Sequence, residues 1–155
     1  MKKIIVLVIA VIAILISTTG CINRATAIVS PGVDIGKVKS FYIVEEQGDK
    51  GTWNVYKLIE ADLVKRGYAV TTGSDIKPLS KTDVILVYED KWMWDITMYM
   101  LSLTITFKEP TSNLTMASGN SYHTSLTRKS PEEMVNEVLT NIFKTNPTGK
   151  EEIHE

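Results

Sequence analysis

From Thr97 to Phe107 the chain alternates without a break. Tyr99, Leu101, Leu103, Ile105 and Phe107 share one parity; Met98, Met100, Ser102, Thr104 and Thr106 share the other. Successive side chains of a strand point to opposite faces. The run therefore specifies a long strand with one dry face and one mixed face. The dry face needs a covering layer, and a domain buries such a face against a second layer of helices or strands.

The rest of the chain supplies that layer. Lys39 to Glu45 and Tyr68 to Thr72 read as short strands rich in aromatic and β-branched residues. Asp83 to Tyr88 is apolar on both faces and belongs in the middle of the sheet. Leu114 to Ser118 starts a further strand, which resumes through Tyr122 after Gly119-Asn120. A helix is expected from about Thr52 to Arg66, on a face of Val55, Tyr56, Leu58, Ile59 and Leu63 that Asp62 interrupts near its edge. Gly67 is its stop. A second helix is expected from Pro131 to Phe143. Ser130, Pro131 and Glu133 form an N-cap, a first-turn proline and a capping-box acid, and Met134, Val135, Val138, Leu139, Ile142 and Phe143 make its apolar stripe. The order β-α-β-β-β-β-α predicts an α+β two-layer sandwich, a mostly antiparallel sheet with two helices on one face.

The first twenty residues lie outside that domain. Lys2 and Lys3 precede an apolar run from Ile4 to Ile16, and Ser17-Thr18-Thr19-Gly20 leads to Cys21. This is the layout of a secretory signal. The run is short of the roughly 20 apolar residues that span a bilayer, although extension over Ser17 to Gly20 makes an uncleaved single-span anchor the alternative. Cys21 is the only cysteine, so it has no disulfide partner in the chain. Gly20-Cys21 after an apolar run resembles the lipobox of bacterial lipoproteins, with Thr18 where Leu is usual. Cys21 is accordingly expected to carry the lipid, palmitate-type acyl chains included. The expected organisation is a signal peptide over 1–20, a lipidated tether over 21–32, the domain over 33–146 and a mobile tail over 147–155.

Without Lys2 and Lys3 the basic count falls from 17 to 15 against 18 acids, a formal side-chain charge of −3. Such a domain has no global attraction to nucleic acid or anionic lipid, so the lipid must hold it to the membrane. Ile22 stands where some bacteria place an inner-membrane retention Asp. That favours the outer membrane, facing the periplasm, in a host with two membranes.

The motif order resembles a family of small bacterial envelope lipoproteins known only as a domain of unknown function. The resemblance rests on the lipobox, Val33-Asp34-Ile35-Gly36-Lys37-Val38-Lys39-Ser40-Phe41-Tyr42, Leu63-Val64-Lys65-Arg66-Gly67-Tyr68, the Asp83 to Tyr88 strand, a Trp-Asp hairpin, Ala117-Ser118-Gly119 and the Pro131 to Phe143 helix. It implies an envelope lipoprotein and brings no catalytic residues with it.

Few residues suggest chemistry. The only imidazoles, His123 and His154, have no ligand at metal spacing, so no metal and no cofactor are expected. His123 reads as a surface or partly satisfied histidine, since nothing adjacent completes a catalytic group. There is no Gly-x-Ser-x-Gly. Ser74 and Lys77 have Ser-x-x-Lys spacing without companion motifs, and no glycine-rich phosphate loop is present. No catalytic residue is assigned. The candidate binding residues are Trp92 and Trp94, of equal parity in an extended chain, and Met98 and Met100 on the mixed face of the long strand. The tryptophans suit either a cap on the core or an exposed anchor for a partner. The methionines suit either an ordinary sheet face or an adaptable binding surface. The reading is a non-catalytic, lipid-anchored envelope protein that binds a protein or an envelope component and no nucleic acid. The alternatives are an envelope hydrolase acting on cell wall or lipid, and a single-span accessory protein.

Overall fold

The computed structural model describes residues 24–45, 54–75 and 81–145. The signal segment, Cys21, the start of the first expected helix at Thr52, and the tail with His154 lie outside the described residues. The elements are β1 (Arg24–Val29), β2 (Ser40–Val44), α1 (Val55–Lys65), β3 (Ala69–Gly73), β4 (Val84–Asp95), β5 (Thr97–Lys108), β6 (Thr115–Tyr122) and α2 (Pro131–Lys144). Short 3-10 turns occupy Ile35–Lys37 and Ser125–Thr127. The strands form one six-stranded sheet in the order β1-β6-β5-β4-β2-β3. β2 is parallel to β3 and β4, and the remaining pairs are antiparallel. The fold is an α+β two-layer sandwich. Among the described residues no helix is long and apolar enough to cross a membrane.

Both helices bring their stripes to one core. Val55, Ile59 and Leu63 of α1 and Met134, Val135, Val138, Leu139 and Ile142 of α2 pack with Phe41, Ile43, Leu86, Leu103, Ile105 and Phe107. The capping box forms as the sequence specifies. The Glu133 amide donates to Ser130 Oγ at 3.2 Å, and the Ser130 amide donates to the Glu133 carboxylate at 2.8 Å. α2 lies close on β6 because Gly119 has no side chain: a Cβ there would stand 2.9 Å from both Ile142 and Val138.

Asp62, the acid that interrupts the apolar face of α1, joins the two helices. Its carboxylate accepts from Arg66 Nε and, at 3.1 Å, from Asn136 Nδ2, while Arg66 Nη2 reaches Thr140 Oγ1 at 2.9 Å. Asp83 fixes the parallel edge. One of its oxygens accepts from the amides of Lys39 and Ser40 and from Ser40 Oγ. These bonds, led by the one from the Lys39 amide, hold its carboxyl below the usual range.

Three expectations change. First, the stretch assigned to a tether over 21–32 contains a strand: β1 pairs with β6 along its length, from Arg24 opposite Tyr122 to Val29 opposite Ala117. An edge strand with one neighbour stays largely exposed, which is why its sequence shows no strong period. Second, β4 does not end at Tyr88. It runs on to Asp95 and makes a long hairpin with β5.

Third, the dry face of β5 is not Tyr99, Leu101, Leu103, Ile105 and Phe107. Lys91 pairs with Ser102 but Trp92 pairs with Met100, so Leu101 is the extra residue of a bulge. A bulge puts two residues of one strand against one of the other and reverses parity beyond it. Leu103, Ile105 and Phe107 are buried as expected; past the bulge Met100 takes the core position, at 1% exposure, Tyr99 turns to the other side, and Leu101 is half-buried. The Leu101 carbonyl is taken by the His123 amide at 2.9 Å.

Candidate functional site

The bulge brings the two sequence candidates into one row. β4 keeps its parity, so Val84, Leu86, Tyr88, Asp90, Trp92 and Trp94 follow one another along the helix-covered face. Met100 lies opposite Trp92, and Met98 opposite Trp94. The four residues form two cross-strand Trp–Met pairs, an arrangement in which sulfur and aromatic ring contact favourably. The sheet edge of the core divides them. Trp92 packs against the core and its indole donates to Asp90, while Met100 is buried. Met100 is therefore not at the surface, and Trp92 is half-buried. Trp94 and Met98 lie beyond the helices, 70% and 54% exposed.

The opposite face of β5 carries no methionine patch inside the sheet. There Asn120 Nδ2 donates to Thr104 Oγ1 at 2.9 Å, and the hydroxyls of Thr106 and Ser118 meet at 3.2 Å. The mixed face expected from the sequence is thus a polar cross-strand ladder as far as the bulge, and Met100 lies on the other side.

At the end of the hairpin Asp95 pairs with Thr97 and Ile96 stands alone at the turn, with φ of 60° and 87% exposure. A β-branched residue in the left-handed region is strained, and such positions cluster at functional sites. Arg128, from the segment between β6 and α2, braces the tip. It donates to Thr97 Oγ1 at 2.6 Å and to the Asp95 carbonyl at 2.8 Å, pairs with the Asp95 carboxylate at 3.3 Å, and sits 4.5 Å from the centre of the Tyr99 ring.

A second cluster lies under α2. His123, expected as a surface or partly satisfied histidine, is 3% exposed just past the end of β6. Its Nε2 lies 2.8 Å from Glu137 Oε2, the oxygen that also accepts from the Ser121 hydroxyl, and Lys129 pairs with the other carboxylate oxygen. Burial pushes the Glu137 carboxyl up, but the hydrogen bonds from Lys129, Ser121 and His123 outweigh it and bring it down to about 2. Ser121 is fully buried and donates to the carboxylate, not to the imidazole, so the trio lacks the serine–histidine contact that nucleophile activation needs. The His123 Nδ1 is buried without a partner among the described residues. The sequence gives little sign of this pairing. Glu137 falls between Met134 and Val138 on the border of the apolar stripe, and its partners come from another element. Among the described residues no cluster of three or more potential metal ligands occurs.

The Glu137 network has a pH signature. A carboxylate held below its unfolded value of 4.5 contributes stability that is complete above that value and is lost as pH falls towards 2. The shift corresponds to roughly 3 kcal/mol. Denaturant melts of Glu137→Gln should therefore show a gap of that order from the parent at neutral pH, closing as the pH approaches 2. The depressed groups Asp83 and Glu133 are present in both proteins and cancel. Parallel pH curves would mean that the network contributes no net charge-dependent stability.

No family model and no curated protein matches the chain. Solved structures match its fold. It is similar to the PelC dodecamer from Paraburkholderia phytofirmans in one crystal form at 9% identity, covering 78% of this chain and 98% of that one with a TM-score of 0.59. It is similar to the L103M variant of the same protein at 7% identity, covering 81% and 98% with a TM-score of 0.56. A PDZ domain protein from Parabacteroides distasonis ATCC 8503 aligns at 12% identity over 85% of this chain and 36% of that one, with a TM-score of 0.48.

Proposed function

We propose that this chain is a non-catalytic envelope lipoprotein. In this reading Cys21 is the acylated amino terminus and the α+β domain binds an envelope component through the exposed end of the β4–β5 hairpin. The observation that carries the reading is the sequence from Lys2 to Cys21, a charged start, a short apolar run and a small residue before the sole cysteine. The resemblance to small envelope lipoproteins supports it. The outer membrane is the favoured location where two membranes exist, because Ile22 follows the cysteine. The enzyme alternative would have to use the Ser121–His123–Glu137 cluster, and that cluster is closed by α2 and already internally bonded.

Mass spectrometry of the membrane fraction tests the anchor. The expected result is a mature protein without Met1 to Gly20 and with an acylated Cys21. An unmodified chain still carrying Met1 would replace the lipid with a single-span anchor.

A further inference from the structure

We infer that the tip of the β4–β5 hairpin is a membrane-contacting element that rests in the interfacial layer of the same bilayer that holds the amino terminus. The inference rests on the anchor proposed above and names the envelope component the hairpin binds: a lipid surface.

The register sets the geometry. Arg24 lies opposite Tyr122, and Tyr122 lies opposite Ser102. β1 runs away from that level into the sheet, so its amino-terminal end faces the side on which the hairpin protrudes. From Ser102 to the turn at Ile96 the hairpin stands beyond the rest of the sheet by about 15 Å, at roughly 3.3 Å per residue. Cys21 is three residues before Arg24, a reach of at most about 11 Å. A lipid on Cys21 therefore brings the bilayer to the end of the domain that carries the tip.

The tip has the composition of an interfacial element. Along β5 before the bulge the two faces differ, Leu103, Ile105 and Phe107 on one and Ser102, Thr104 and Thr106 on the other. Past the bulge one face is apolar, with Trp94 and Met98; the other carries Met93 and Tyr99 beside the Asp95–Thr97 pair that Arg128 braces, and Ile96 stands at the turn. Met93, Trp94, Ile96 and Met98 are all among the exposed large apolar side chains. Leu126 adds a further one, 87% exposed in the turn whose next element, Arg128, grips the tip. Exposed apolar side chains at the end of a projecting hairpin have no core to face, and apolar groups gathered in this way mark a protein or membrane contact. Tryptophan and tyrosine are enriched where lipid meets water. The charged residue at the tip, Asp95, is paired with Arg128, which lowers the cost of placing it near lipid and limits the depth to the headgroup region. The domain's formal negative charge gives it no electrostatic hold on anionic lipid, so the contact is apolar.

The test uses the full-length protein, produced with its own leader and reconstituted into vesicles of phosphatidylethanolamine and phosphatidylglycerol. Acyl chains brominated near the headgroup or near the chain end quench tryptophan at the corresponding depth. The expected result is quenching by the shallow bromines, weaker quenching by the deep ones, and loss of the quenched component in Trp94→Phe. Trp94 is exposed, so the variant keeps the parent's melt, and Ile96→Asp provides a second probe by pushing Trp94 out of the lipid. Equal quenching in the parent and Trp94→Phe, or none in either, overturns the inference. So does photocrosslinking from position 96 that yields a protein adduct in place of lipid. The mass of the amino-terminal peptide from the same sample reads the anchor separately. A retained leader also brings the membrane next to Arg24, so quenching of Trp94 reports on the tip whichever anchor is found.

Discussion

Ending the chain after Arg128 should abolish the cooperative melt of the domain made without Met1 to Cys21. α2 contributes Met134, Val135, Val138, Leu139 and Ile142, all at or below 1% exposure. Removing one such side chain costs about 2–5 kcal/mol, and a whole domain is stable by only about 5–15 kcal/mol. The deletion also removes Glu137 from Ser121 and His123, leaving buried polar groups without their acceptor. The same stripe, read from the sequence alone, also suits an amphipathic helix that docks on a partner. Circular dichroism against temperature separates the two. A truncated domain that melts cooperatively near the parent temperature would make α2 a detachable interaction element.

The second large effect separates the bulge from the simple alternation of β5. Met100→Ala should cost about 2–5 kcal/mol, because its side chain is fully packed against the core. Leu101→Ala should cost roughly 1 kcal/mol, as expected for a side chain only part of whose surface is covered. Unbroken alternation predicts the reverse order. Denaturant melts of the two variants decide it, and a larger loss at Leu101 would remove the bulge and with it the Trp–Met pairing.

How much was legible in the sequence depends on the range of the interaction that decides each feature. α2 was readable to within a residue because a capping box and a 3.6-residue stripe are local signals. The core positions Leu103, Ile105 and Phe107 were readable because alternation is local too. The bulge was not. An extra residue leaves the alternation of its own strand intact and exists only relative to the partner. The tryptophan and methionine pairs were each visible, but their meeting depended on that same residue. β1 was illegible because Arg24 to Val29 has one neighbour and buries little. Glu137 and His123 approach from different elements, and neither sequence neighbourhood names the other.

The place of β1 in the sheet also governs when the molecule can be finished. Among the described residues the first strand, β1, has β6 as its only neighbour, and Arg24 must wait for Tyr122, about a hundred residues later. Pairings so distant in the chain close late and slowly, because the loop entropy must be met before the contacts repay it. A polypeptide with the proposed leader crosses a membrane as an extended thread. In the proposed export, β1 finds its partner only after β6 has emerged, so the six-stranded sheet is completed late in the passage.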